Sequence, residues 1–141
     1  MRIVLTVPPG LPPATTVEMA RHALQAAVAI NRGIMAMQHV PRLYEAGLVF
    51  RREPNALIKK GIEQFDNCLQ VLERGGGDCD DLVAYRVAEL QHLGETGADL
   101  KIIWPKGTRR YHAQVRREDG TYEDPSRVLL LRELRAKGQR Q

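Results

Sequence analysis

The sequence predicts an α+β protein in which helices come first and a small antiparallel sheet follows. Apolar residues recur at three- and four-residue spacing through the first part of the chain, the signature of amphipathic helices. After the stretch "HLGETG" that period gives way to strict alternation, interrupted by the turn sequence "EDG". Helical segments followed by a hairpin, rather than alternating with strands, make an α+β pattern. At 141 residues, with 43% hydrophobic and 27% charged content, the chain is sized for one domain, residues 1–141, with a modest core.

Residues 1–14 form an N-terminal arm. There "RIVLTV" is a β-branched run suited to an edge strand, and "PPGLPP" closes it as a stiff linker. Thr15 or Thr16 can cap the first helix, with Glu18 near its third position. From Val17 to about Gln38, Met19, Ala23, Ala26, Ala27, Ile30, Ile34 and Met37 line an alanine-rich packing face. Met35 and Met37 read as core or interface filler. Between Pro41 and Pro54, "LYEAGLVF" suits a short turn and a strand. A second helix is expected from the cap Asn55, with Leu57, Ile58, Ile62, Phe65, Leu69 and Leu72 on one face and the glycine triplet 75–77 as its stop. Gly61 inside it costs about 1 kcal/mol. Asp78 caps a third helix, whose buried stripe is Leu82, Val83, Val87 and Leu90. "DLKIIW", "RRYHAQVRR" and "TYED" are the strands of the sheet. Residues 132–141 read as a basic, frayed tail.

The net charge of +4 is spread along the chain among 17 acidic residues, and aromatic content is 5%, so nucleic acid is not an expected partner. Two cysteines are too few for a disulfide scaffold, and free thiols are expected, with Cys68 in the core. The N-terminus has no apolar leader core or small-residue cleavage site, and no run reaches the roughly 18 apolar residues of a spanning helix. A cytoplasmic protein without membrane contact is the expectation.

Cys79 follows three glycines and stands among Asp78, Asp80 and Asp81 at a helix start. A helix N-terminus stabilises a thiolate through its unpaired amides and positive dipole end, and glycines permit a tight turn and close approach of a substrate backbone. The three aspartates oppose a thiolate, so a cationic partner is required, and histidine is the natural one. Of the four histidines, His22 and His39 belong to the first helix and its end, and His92 closes the third. His112 alternates with Tyr111, Ala113 and Val115 in a strand and so faces away from the apolar side. The hairpin turn then brings Asp124 beside it, and Pro125 ends that strand. A carboxylate there would orient the imidazole and stabilise its protonated form. A metal is not expected, because paired Cys and His spacing is missing and Asp80 and Asp81 suit first-turn roles. Trp104 reads as core or as the wall of a cleft, and Lys106, Arg109 and Arg110 beside it read as a solvated loop, or as cations that would favour an acidic substrate.

The segments "GGGDCDDLVAYRVAEL", "YHAQV" and "DGTYEDPS" resemble the core of the transglutaminase-like superfamily. With "LYEAG" upstream, the chain is similar to short stand-alone members encoded by tailed bacteriophages. The resemblance implies a papain-like core, with a catalytic cysteine at a helix N-terminus packed on a small antiparallel sheet. Carried over by motif, Cys79 is the nucleophile, His112 the general base and acid, and Asp124 the orienting carboxylate. The implied activity is acyl transfer at peptide or glutamine-type amides, ending in hydrolysis or a crosslink, without a cofactor. The implied partner is a protein or peptide substrate, and the implied location a bacterial cytoplasm or a virion. The Cys79 amide supplies one oxyanion donor, with Tyr44 or Gln70 as the expected second. The alternative is a catalytically idle fold serving phage assembly, with the long first helix packing on a partner or a second copy.

Overall fold

In the structure, a computed structural model that describes residues 2–52 and 61–139, the elements order themselves around one buried helix. The chain runs β1 (Ile3–Thr6), α1 (Pro13–Met37), a 3-10 turn (Leu43–Glu45), β2 (Val49–Phe50), β3 (Ile62–Phe65), α2 (Cys68–Arg74), β4 (Gly76–Gly77), α3 (Cys79–His92), β5 (Asp99–Ile103), β6 (His112–Arg116), β7 (Tyr122–Glu123) and α4 (Pro125–Gln139). Among the described residues this is a mixed α+β architecture with small sheets. None of the described helices is long and apolar enough to cross a membrane.

The central helix is α3, which packs on α1, on β6 and on α4. Leu82, Val83, Val87 and Leu90 are buried as expected, and Ala84, Tyr85 and Ala88 are buried too. Neighbours cover α3 on most sides, so that its charged Asp80, Asp81 and Glu89 are buried along with its apolar residues. The sheet has the order β5-β6-β7, antiparallel throughout, and Ile103 stands opposite His112 in its register.

Helix α1 starts earlier than expected, with Pro13 in its first turn after Pro12 as N-cap, so neither Thr15 nor Thr16 caps it. Its core face is Ala20, Leu24, Ala27, Val28, Asn31 and Met35, about one residue out of phase with the expected face, and Met37 is 87% exposed. The buried Asn31 explains the shift: its Oδ1 accepts the Cys68 amide at 2.8 Å, and a polar residue in the middle of the face misleads a hydrophobic reading.

The second expected helix is replaced by a strand and a shorter helix; Asn55, Leu57 and Ile58 lie outside the described residues. Strand β3 pairs antiparallel with β1, from Ile3 opposite Phe65 to Thr6 opposite Ile62, so the N-terminal arm is tied into the fold. Gly61 turns the chain into it at φ +69, and a Cβ there would come within 2.6 Å of the Val7 carbonyl oxygen. Helix α2 has its own start, a capping box in which Asn67 accepts the Gln70 amide at 3.0 Å and Gln70 Oε1 accepts the Asn67 amide at 2.9 Å.

Strands β2 and β4 pair in parallel, Val49 opposite Gly76 and Phe50 opposite Gly77. A Cβ on Gly76 would collide with the Val49 carbonyl oxygen, so glycine is needed for backbone packing just before Cys79. Gly76→Ala is expected to lower unfolding free energy by about 2–3 kcal/mol in urea denaturation. Gly33→Ala, in α1 with nothing within 4 Å of its Cβ, should be neutral or stabilising by up to ~1 kcal/mol. Equal effects at the two positions would contradict this account of the β2–β4 contact.

Residues 132–139 are not a frayed tail but the end of α4, which packs on β2 and α3 through the buried Leu129. Arg132 donates to the Tyr44 carbonyl at 2.7 Å and stacks over its ring. Beside it, Arg86 of α3 donates to Glu123 at 2.7 Å and to Glu89 at 2.6 Å. Arg117 bridges Glu123 and Glu95. This mostly buried cluster ties β7, and with it the start of α4, to α3. Arg86→Met should cost about 3 kcal/mol, because it removes the cation paired with the buried Glu89 and one of the two paired with Glu123. A loss below about 1 kcal/mol in thermal unfolding would mean that solvent screens the cluster.

Candidate active site

Cys79 is the first residue of α3, and its place is set by local capping chemistry. Asp78 Oδ1 accepts the Asp81 amide at 3.2 Å, and Asp81 Oδ2 accepts the Asp78 amide at 3.3 Å. Asp81 Oδ1 reaches further and accepts the Asp66 amide at 2.8 Å, joining the start of α3 to the end of β3. Burial raises the Asp81 carboxyl to about 7, the Asp66 and Asp80 charges add to the rise, and the amide hydrogen bonds oppose it. Asp78 and Asp81 therefore serve as cap and tether of the α3 start.

The Cys79 thiol is partly buried against β6, where a backbone hydrogen bond from Ala113 favours the thiolate. Burial and the charges of Asp80 and Asp78 outweigh that bond and push the thiol well above its ordinary range. The sulfur lies 3.9 Å from Asp80 Oδ1, and Asp80 Oδ2 accepts the Tyr111 hydroxyl at 2.8 Å. The helix terminus alone does not activate the sulfur, and Asp78 and Asp80 oppose the thiolate as their place beside Cys79 in the sequence suggested.

His112 opens β6 with its ring on the side opposite the buried Ala113 and Val115. Its Nε2 stands 2.7 Å from Asp124 Oδ2, the pairing expected from the hairpin. Asp124 Oδ1 also accepts the Ser126 hydroxyl at 2.7 Å and the Arg127 amide at 3.3 Å, so the same carboxylate caps α4. Burial alone would raise the Asp124 carboxyl, but the His112 and Ser126 hydrogen bonds hold it at about 2. The hydrogen bond to Asp124 raises the His112 imidazole above its ordinary 6.5 against the opposing effect of burial. With Nε2–H directed to Asp124, Nδ1 is the basic nitrogen of the ring.

Cys79 and His112 line one cleft of about 220 Å³, together with Phe50, Arg52, Asp78, Asp80, Arg110 and Tyr111. The two expected oxyanion donors do not line it. The Tyr44 hydroxyl donates to Glu123 at 2.6 Å, and Gln70 is held at the α2 cap, where its Oε1 accepts the Asn67 amide. Tyr44 thus positions β7, which precedes Asp124. As the first helical residue, Cys79 has an amide without an intrahelical partner, the one donor that the cleft retains from those expected. Cys68 is fully buried, as expected, and His22, His39 and His92 are exposed away from the cleft.

A second cleft of about 590 Å³ adjoins the first through Arg110 and Tyr111. Trp104 is one of its walls, with the indole donating to the Thr108 carbonyl at 2.9 Å, rather than a core residue. Glu63, which sequence reasoning missed, faces this region from β3 and pairs with Arg110 at 2.9 Å. Its signal was hidden because a helical reading of 55–74 gave Glu63 no inward side.

The fold and site together define an α+β protein in which a helix-start cysteine shares a cleft with an aspartate-bound histidine. No family model matches the chain, and neither a curated protein nor a solved structure gives a significant match.

Proposed function

We propose that the protein is a cysteine-dependent acyl-transfer enzyme of the transglutaminase-like, papain-like type, acting on peptide or glutamine-type amides. The observation that carries this reading is the 2.7 Å His112–Asp124 pair in the cleft that also holds the α3 cysteine. Because the Cys79 thiol rests protonated, His112 acts as a general base rather than as half of a standing ion pair. Nδ1 takes the thiol proton as Sγ attacks the carbonyl carbon, and the Cys79 amide faces the oxygen that becomes negative. The tetrahedral adduct collapses, the imidazolium gives its proton to the departing amine or ammonia, and an acyl thioester remains. Water, or a lysine amine, attacks that thioester with His112 again as base, and the thiol is restored. Asp124 keeps the ring oriented and stabilises the imidazolium throughout. The resemblance of "LYEAG" and "GDCDDL" to phage-encoded proteins supports a phage origin and a site of action in a bacterial cytoplasm or a virion.

One observation favours a second reading, a catalytically idle fold used in assembly: burial and two aspartates suppress the Cys79 thiolate. In that case α1, with Met37 87% exposed, would serve contact with a partner or a second copy. The test is p-nitrophenyl acetate, a small activated acyl donor, with the adduct located by peptide mass. An initial burst and an acetyl group on Cys79, both lost in Cys79→Ala, are the expected result. Acetylation absent from Cys79, or confined to lysines, would leave the idle fold. Adding an amine and following its amide product then separates crosslinking from hydrolysis.

A further inference from the structure

Three carboxylates meet at the wall of the clefts, where Glu63 of β3 comes up to the Asp78 cap and to Asp80 of the first turn of α3. One oxygen of each lies within 4.8 Å of the others. All three residues are buried, with exposures of 9%, 7% and 2%. Glu63 Oε1 accepts from Arg110 at 2.9 Å, but Glu63 Oε2 is closed to solvent and has no hydrogen-bond partner among the described residues. A buried carboxylate oxygen without a donor is costly, and natural folds satisfy such an atom with a proton donor or a cation.

We propose that Glu63, Asp78 and Asp80 form a binding site for a hard divalent cation of Ca2+ or Mn2+ type. Oxygen-only ligands suit such ions, whereas Zn2+ prefers nitrogen and sulfur. Ligand oxygens up to 4.8 Å apart can share a cation that holds them at about 2.3–2.6 Å, while Mg2+ at about 2.0–2.1 Å would require them to draw together. Arg110 keeps Oε1, the ion takes Oε2, and waters complete the coordination shell. The site ties β3 to the first turn of α3, a connection otherwise made by the Asp81–Asp66 hydrogen bond. The proposal stands on these carboxylates alone and is independent of acyl transfer.

The test is titration of the metal-stripped full chain with Ca2+ and with Mn2+. One ion per chain is expected, with the melting temperature raised by about 10 °C at a hundredfold excess over Kd. Glu63→Gln, which removes the charge and one oxygen ligand, should weaken binding at least tenfold, whereas Glu133→Gln on α4 should leave it unchanged. A second readout needs no variant of Glu63. Tb3+, a hard luminescent ion, should be sensitised by Tyr111, whose hydroxyl is bonded to Asp80, and displaced by Ca2+. Tyr111→Phe should lose most of that emission. No binding at millimolar ion, equal binding by Glu63→Gln, or Tb3+ emission indifferent to Tyr111 would each overturn the site.

Discussion

His112→Ala should slow acetylation of Cys79 by p-nitrophenyl acetate about 10²–10⁴-fold near pH 8, the range that a positioned general base supplies. The size follows from the protonated resting thiol: without the imidazole, attack waits for a thiolate that burial, Asp80 and Asp78 disfavour. The wild-type rate should rise with pH through the His112 pKa, because the base must be neutral, and the hydrogen bond that His112 donates to Asp124 sets that inflection above 6.5. Asp124→Asn should move the inflection down, since an amide does not stabilise the imidazolium. A His112→Ala rate within about threefold of wild type would assign Cys79 to an idle fold. The same pair carries a stability signature. The Asp124 contribution is present above 3.8 and lost as pH falls towards about 2. That of His112 is present below 6.5 and lost as pH rises through its raised folded value, so the pair stabilises most between these limits.

Asp81→Ala should be among the most destabilising substitutions in the protein, at about 2–4 kcal/mol in urea denaturation. It removes both side-chain acceptors at once, exposing the Asp78 and Asp66 amides without partners in a buried place. The cost should vary with pH. Because the folded carboxyl titrates at about 7 and the unfolded one at 3.8, wild-type stability from this group is fullest below 3.8 and falls as pH rises to about 7. The difference between wild type and Asp81→Ala should therefore be larger at pH 5 than at pH 8. A cost below 1 kcal/mol at both would mean that Asp66 and Asp78 find other acceptors, and that the α3 start is held by β2–β4 packing alone.

The candidate site was legible because each of its parts rests on local chemistry. An Asp cap before Cys79, an alternating strand with His112 on its polar side, and a tight turn returning Asp124 are all short-range features. The errors came where a local pattern had two readings. Ile62 and Phe65 are three apart, which suits a helix, yet they belong to β3 because β1 arrives from the other end of the chain. The Asn67 and Gln70 pair and the "DPS" start of α4 were readable capping signals, hidden by assuming a longer helix and a frayed tail.

What the sequence by itself determined is the set of turns, caps and periods that puts a cysteine at a helix start, a histidine on a strand and an aspartate just past the end of the next strand. Only the tertiary structure decided what those groups are worth. Burial of the Cys79 thiol against β6, the diversion of Tyr44 to Glu123 and the meeting of Glu63 with Asp78 and Asp80 all join residues far apart in the chain. Hydrogen-bonded turns act over a few residues and can be read from them, whereas desolvation and charge depend on everything that packs nearby.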